Sequence, residues 1–475
     1  MDRPLLIVAA LGLLLLPFVV LHDYRGAGFV ADDLHFSTAD INLSPGRLLG
    51  TEWGHAVVPG TVGYRPLVLL SYAVDQRLSG RDPGGYRLTN YLAHSAVSVM
   101  LAALAWSFSG LPAVGLLAGL LFAVHPIHHE NVLWISGRTH VLAALFVLMA
   151  LWWVQTAGTR PRLRQNLVGS ALFALAIGSY EPTLVLPVAL LAVACWNVSG
   201  HDRGRAAAGI RVVLPYVVVL AAYLLFRWVH LATPASDLNA FTVERIIRNP
   251  LAVGARLLGV PKDAAWSPWV LWTVVVTTAV TLLALAAGLN DRRCRRTALL
   301  GLTLAAVFYL PFVAADRYVD RFAYLASAGF LMALSAGVVA LVSGAGRPVT
   351  RTGLVLVVAL MVALWTGEVR RAGQEWYEAG QLAETIQQQL LQLEPDPTPG
   401  ATMTFFRIPA THGQAWVYLT YFEHEVRRRY DRDLLVVNRT DPDDEAIAAA
   451  IASAGAGEYV FWWDQELSQL RTARP

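Results

Sequence analysis

The chain has 475 residues, 56% of them hydrophobic and 15% charged, with a mean hydropathy of +0.48 and a formal net charge of +3. That balance excludes a soluble globule of ordinary makeup, and arginines dispersed over short turns exclude a nucleic-acid-binding face. Lipid is the solvent for most of this chain.

Crossing about 30 Å of hydrocarbon takes about 20 apolar residues. Such segments, some of them short, occur near 4–22, 91–108, 112–127, 132–154, 166–180, 183–198, 212–231, 268–288, 297–314, 323–343 and 352–367. They predict an all-α polytopic membrane domain of about eleven helices over residues 1–369. The first segment reads as a retained helix rather than a cleaved signal peptide, because no small-x-small site precedes His22-Asp23-Tyr24-Arg25. Cys195 and Cys294 show neither a disulfide pattern nor metal-ligand spacing.

Counted from a cytoplasmic N-terminus, four of the five cytoplasmic turns carry arginine clusters: Arg160, Arg162 and Arg164; Arg203 and Arg205; Arg292, Arg293, Arg295 and Arg296; Arg347 and Arg351. The positive-inside bias sets the opposite turns outside. The polar constellations all fall on that outer side. The first outer loop, residues 23–90, is long and rich in Gly, Pro and aromatics, which marks it as functional rather than as a spacer. It carries Phe29-Val-Ala-Asp-Asp-Leu-His-Phe36. Adjacent carboxylates diverge on either a strand or a helix, so one of Asp32 and Asp33 is expected to do chemistry and the other to support it. A carboxylate held near a bilayer, desolvated and within reach of an acceptor hydroxyl, is a competent general base.

His125-Pro-Ile-His-His-Glu130 follows the third segment. Pro126 and the lack of an i, i+4 histidine pair argue against zinc, so no metal or other cofactor is assigned. His125, His128, His129 and Glu130 are expected instead to contact an anionic substrate group at headgroup level, or else to anchor a helix end. Arg65, Arg138, Arg317 and Arg321 also lie outside, where the charge bias disfavours arginine, and guanidinium groups suit bidentate phosphate binding. Glu181, ahead of Pro182, is expected to position the next helix. From Arg370 the composition changes: a Gln- and Glu-rich stretch, three prolines from Pro395 to Pro399, then strand-like runs at Thr402–Ile408, Leu434–Val437 and Tyr459–Trp463 with helices near 414–430 and 443–454. Residues 370–475 therefore read as a small extracytoplasmic α/β domain. No repeat of 20 to 50 residues is visible in it.

These stretches resemble the GT-C superfamily of polytopic glycosyltransferases. Within it they are most similar to the transmembrane O-mannosyltransferases that carry tetratricopeptide repeats, and more distantly to protein O-mannosyltransferases. The resemblance runs in order over about residues 10–370: the acidic motif around Asp32; Tyr64-Arg-Pro-Leu67; Tyr86-Arg-Leu-Thr-Asn90 with His94; Phe122-Ala-Val-His-Pro-Ile-His-His-Glu130; Trp134-Ile-Ser-Gly-Arg-Thr-His-Val-Leu-Ala143; and Asp320-Arg-Phe-Ala-Tyr-Leu-Ala-Ser-Ala-Gly329. It departs from the family at Ala326, where a proline is usual, and in the missing repeats.

The resemblance implies a polyprenyl-phosphate-linked hexose, mannose-like, as donor, and transfer by a single inverting displacement to a hydroxyl of a protein, lipid or glycan. It also implies Asp32 as the base, Asp33 as its support and His35 as a residue lining the site. An integral plasma-membrane protein of a bacterium fits a chain whose only lysine is Lys262. Two other functions compete: a flippase or transporter for lipid-linked sugars, which calls for polar sites near mid-membrane, and a noncatalytic envelope assembly protein, which leaves the one-sided motifs unexplained.

Overall fold

The computed structural model of the chain describes residues 3–33, 64–158, 161–197, 203–230, 242–260, 268–316, 318–418, 422–430, 433–439 and 443–473. Each of the eleven apolar segments lies on a helix: α1 (Arg3–Leu21), α3 (Pro83–Ser109), α4 (Pro112–Ala123), α6 (Arg138–Ala157), α7 (Leu163–Ile177), α8 (Leu186–Asn197), α9 (Arg203–His230), α11 (Pro268–Asn290), α12 (Arg295–Tyr309), α13 (Tyr324–Gly344) and α14 (Pro348–Leu393). Among the described residues six stretches are long and apolar enough to cross a membrane, or seven when one bent pair counts as a single span; α7, α8 and α11 carry shorter apolar runs. The chain is thus an integral membrane protein, mostly helical. The window of α13 is 78% buried and that of α9 only 17%, so α13 forms the middle of the bundle and α9 turns its apolar face to lipid.

Three features differ from the sequence-based expectation. First, the long outer loop contains helix α2 (Pro66–Ser79), and α3 begins at Pro83 rather than 91. Pro66 and Pro83 occupy first-turn positions, and the Asp82 side chain accepts from Gly84 N–H at 2.9 Å, an N-cap that a hydropathy window does not register. Second, the third segment bends by 51° between Pro112–Ala123 and Pro126–Leu133. Proline holds the preceding His125 extended, at φ −69° and ψ 126°. The chain then runs through a short turn at Pro126–His128, helix α5 (His129–Leu133) and a second turn at Ile135–Gly137 before α6.

Third, the division expected at residue 370 falls inside α14, a continuous helix of 46 residues. At 1.5 Å per residue it is about 69 Å long, more than twice the hydrocarbon thickness, so its C-terminal half stands clear of the membrane and carries a small sheet domain. The sheet has four strands in the order β4-β1-β5-β6: β1 (Thr402–Phe406) runs parallel to β4 (Leu435–Arg439) and β5 (Glu458–Asp464), and β6 (Gln469–Ala473) is antiparallel at the edge. Helices α15 (Phe422–Tyr430) and α16 (Asp444–Ser453) connect the strands. The helix expected from 414 begins at Phe422, because a short hairpin, β2 (Thr411–His412) and β3 (Ala415–Trp416), takes up the preceding residues. The sequence pattern predicts no strand at β6. A further helix, α10 (Val243–Leu257), lies between α9 and α11.

Candidate active site

Irregular backbone at a membrane boundary survives where protein satisfies its polar groups. Here α3 does so. Asn90 Nδ2 donates to the carbonyls of Val132, Trp134 and Ile135 at 3.4, 3.1 and 3.3 Å, and Arg87 Nε donates to Leu133 O at 3.0 Å. The His125 ring closes the other side, its Nδ1 accepting from Ile127 N–H at 3.2 Å. Gly137 is required beneath this turn: a Cβ there would sit 2.7 Å from the carbonyl oxygens of Glu130 and Asn131. The Tyr86–Asn90, His125–Glu130 and Trp134–Ala143 motifs are thus one packed unit.

Arg87 also builds the acidic loop. Its guanidinium, fully buried, donates to Gly28 O at 2.7 Å and to Ala27 O. On the other side the loop meets α14 backbone to backbone, since a Cβ on Gly28 would lie 2.8 Å from Gly380 O. Ala31 N–H donates to Val417 O, just after the β2–β3 hairpin, at 2.8 Å. Ala31 itself is left-handed, at φ +46°. A non-glycine residue in that region persists only when its surroundings hold it there.

Asp32 and Asp33 follow that residue and part company. Asp33 is 1% exposed, and its Oδ1 accepts from Ser136 N–H at 2.9 Å and from Ser136 Oγ at 2.8 Å. Asp32 is partly exposed, and its Oδ1 has no hydrogen-bond partner among the described residues. The charges acting on Asp32 are Asp33, Arg321 and Arg65. Burial raises both carboxyls above the usual aspartate range, Asp32 to about 7 and Asp33 to about 6. The Asp33 charge lifts Asp32 further, while Arg321 and Arg65 pull it back.

Arg321 reaches this place from the turn before α13. Its guanidinium pairs with Glu130 and lies over the Trp134 ring, 5.3 Å from the centroid. Glu130 accepts in addition from Arg321 N–H at 3.1 Å and from Trp416 Nε1, in the hairpin, at 3.0 Å. Arg65 caps α2, whose first turn docks through Leu67 N–H on Gly178 O at 3.1 Å; its guanidinium lies 5.1 Å from the Tyr180 ring centre, and its Nε is buried without a partner among the described residues.

The remaining expected residues are placed differently. Arg138 is 0% exposed and spends its donors inside the bundle, on Asn90 Oδ1 (2.7 Å), Ser71 Oγ (3.1 Å), Tyr86 O (2.7 Å) and the carboxylate of Asp75 (2.5 Å). It holds α2, α3 and α6 together rather than joining Arg65 and Arg321. His128 lies between Phe122 O (2.8 Å) and Ser327 Oγ (2.7 Å), near His94, whose ring bonds Tyr324 at 2.7 Å. His125 packs on Trp365 at 4.3 Å between ring centres. His129 accepts from Trp376 Nε1 at 3.2 Å, which leaves its proton on the Nε2 that faces Asp320 at 3.4 Å. Asp320 is held in turn by Arg256 (2.6 Å) and Tyr318 (2.8 Å). The three histidines face different partners, and among the described residues no three His, Cys, Asp or Glu side chains converge as a metal ion requires. His35 and Arg317 lie outside the described residues. Glu181 lies in the first turn of the short helix Glu181–Val185 that leads into α8, and pairs with Arg227 and Tyr223 of α9. Both cysteines are free.

Sequence reasoning did not single out Arg87, Ser136 or Trp416 as site residues. For the first two a signal existed, since both sit inside quoted motifs; Trp416 had none.

No protein-family profile matches the chain. In sequence it is 38% identical over 157 residues to the protein O-mannosyl-transferase tmtc2 of Xenopus laevis, covering 31% of this chain and 18% of that protein. It is 26% identical over 434 residues to TMTC4 of Mus musculus, covering 73% and 58%. The chain thus spans less than two thirds of the length of these relatives. In structure it is similar to the arabinofuranosyltransferase AftD from Mycobacteria, with TM-score 0.55 and 15% identity over 100% of this chain and 36% of that one. ArnT from Cupriavidus metallidurans, solved bound to undecaprenyl phosphate, gives TM-score 0.51 and 12% identity over 98% and 94%. Identities this low bear on fold alone. The chain therefore resembles the TMTC O-mannosyltransferases in sequence and shares its fold with membrane glycosyltransferases of the GT-C superfamily.

Proposed function

We propose that the protein is an inverting membrane glycosyltransferase that moves a hexose, mannose first among candidates, from a polyprenyl-phosphate-linked donor to an acceptor hydroxyl on the extracytoplasmic face. The observation that carries this reading is the setting of Asp32: a desolvated carboxyl whose Oδ1 has no partner among the described residues, acted on by two guanidinium groups, at the boundary of an apolar bundle. In the ionised state Asp32 takes the proton of the acceptor hydroxyl as its oxygen attacks the anomeric carbon. The bond from that carbon to the phosphate oxygen breaks, and the charge left on the lipid phosphate is met by Arg65 and Arg321. Asp33, tied to Ser136, holds the loop. Glu130 and Trp416 hold Arg321.

Further support comes from the direction of the helices. Asp320 and Arg321 precede the start of α13, whereas the turn after its end and the starts of α14 and α12 carry arginines counted as cytoplasmic. The mannosyl relatives and the neighbour bound to undecaprenyl phosphate favour a lipid-phosphomannose donor and a protein acceptor. The test is transfer by purified full-length protein from polyprenyl-phosphate-mannose and polyprenyl-phosphate-glucose, with the anomeric configuration of the product determined, comparing the parent with Asp32→Asn. Loss of transfer by about 100-fold or more is expected. Undiminished transfer in the variant removes Asp32 as base, and a product of retained configuration removes the single displacement.

A further inference from the structure

One buried side chain of the bundle is not used by the proposed transfer. His140 stands near the start of α6, its ring 4.4 Å from that of Tyr180 and 6.4 Å from that of Phe322, between centres. Both ring nitrogens are closed off from solvent, and neither has a hydrogen-bond partner among the described residues. The Gly137 carbonyl, one turn back, acts on the ring without closing a hydrogen bond. The charged groups that act on the ring are Arg65 and Arg321, the two that act on Asp32.

Buried polar atoms in folded proteins are satisfied almost without exception, and leaving one unmade is expensive. Among the described residues Asp32 Oδ1, Arg65 Nε and both His140 nitrogens have no partner, and the His140 ring shares Tyr180 with the Arg65 guanidinium and Phe322 with that of Arg321. An imidazole always has at least one N–H to donate. Between two guanidiniums, with Tyr180 under both Arg65 and the ring, that donor is set to meet an acceptor carrying negative charge.

We propose that His140 is an anion-binding residue of this site, donating a ring N–H to the phosphate of the lipid-linked donor beside Arg65 and Arg321. This rests on the transferase reading. One neutral donor beside two cations adds direction to the binding of a phosphate oxygen, which two charges alone do not.

The experiment measures binding of polyprenyl phosphate and of uncharged polyprenol to the purified full-length protein, together with steady-state transfer, for the parent, His140→Phe and His140→Ala. Affinity for polyprenyl phosphate is expected to fall about tenfold in both variants, the size of one hydrogen bond to a charged group. Polyprenol binding should be unchanged. Donor KM should rise with acceptor KM unaltered, and added imidazole should restore phosphate binding to His140→Ala. Parent-like phosphate affinity in either folded variant overturns the proposal, as does equal loss of both lipids or absence of imidazole rescue, which assigns the ring to packing. If the parent binds polyprenyl phosphate through His140 yet transfers sugar from no lipid-phosphosugar, the transferase reading falls and the phosphate site stands. A parent with no preference for polyprenyl phosphate over polyprenol ends both.

Discussion

The pH profile of transfer offers the sharpest test of Asp32. An aspartate with its ordinary value of 3.8 is ionised throughout the neutral range, and kcat/KM would be flat from pH 6 upward. Asp32 is held near 7 by burial and by the Asp33 charge. The ionised, active fraction is then about one eleventh at pH 6 and about ten elevenths at pH 8, so kcat/KM should rise roughly tenfold between them. The proposed donor, a phosphodiester, has no ionisation in that window to confuse the reading. The neighbours set the direction of two shifts. Asp33→Asn keeps an oxygen to accept from Ser136 but removes the charge that lifts Asp32, so the midpoint should move down; Arg65→Gln removes a charge that lowers it, so the midpoint should move up. Stability obeys the same linkage with a definite sign. Because its folded-state value is raised, Asp32 costs the fold stability progressively as pH climbs from about 4 to about 7, and that cost is complete above it. Asp32→Asn should therefore raise the melting temperature at pH 8 while abolishing transfer. A flat profile between pH 6 and 8, or shifts of the same sign in the two neighbour variants, refutes the assignment.

Three further outcomes are expected. Arg138→Ala should lower stability by about 3–5 kcal/mol in denaturant titration, because it leaves Asp75 buried without its guanidinium, and pairing it with Asp75→Leu should recover part of the loss; raised donor KM at unchanged stability would show instead that Arg138 serves the donor. Arg87→Lys cannot reach Leu133, Ala27 and Gly28 with one ammonium, so kcat should fall about 10- to 100-fold as the Asp32 loop loosens, with polyprenyl phosphate affinity preserved. Trp416→Phe keeps an aromatic ring but removes the indole N–H to Glu130, and should cost about 1.5–3 kcal/mol in the docking of the hairpin, read as faster proteolysis of the sheet domain from the intact protein; proteolysis at the parental rate would show that this bond does not hold the domain in place.

Much of the architecture was legible in the sequence because hydrophobicity over 20 residues is a one-dimensional quantity. All eleven apolar segments lie on helices, and three strand-forming runs of the tail lie in one sheet. The motif around Asp32 and Asp33 was legible too, as was the divergence of two adjacent carboxyls, which comes from backbone geometry alone. The bend at Pro126 and the helix starts at Pro66 and Pro83 were written in local residues, but a hydropathy window averages over them.

Partnership was another matter. Arg65, Arg138 and Arg321 are the same residue type on the same expected side of the membrane, and only the fold separates them. Arg138 meets Asp75, Ser71, Asn90 and Tyr86 inside the bundle, while Arg65 and Arg321, the latter paired with Glu130, are the guanidiniums whose charge acts on Asp32. Glu130, Arg321 and Trp416 are far apart in the chain and come together through the bend after α4, the turn before α13 and a hairpin carried on α14. The sequence by itself determined which residues prefer lipid and which kinds of chemistry are present. The tertiary structure decided which charged groups are satisfied by protein and which are left to meet a ligand, because that depends on long-range contacts no local pattern encodes.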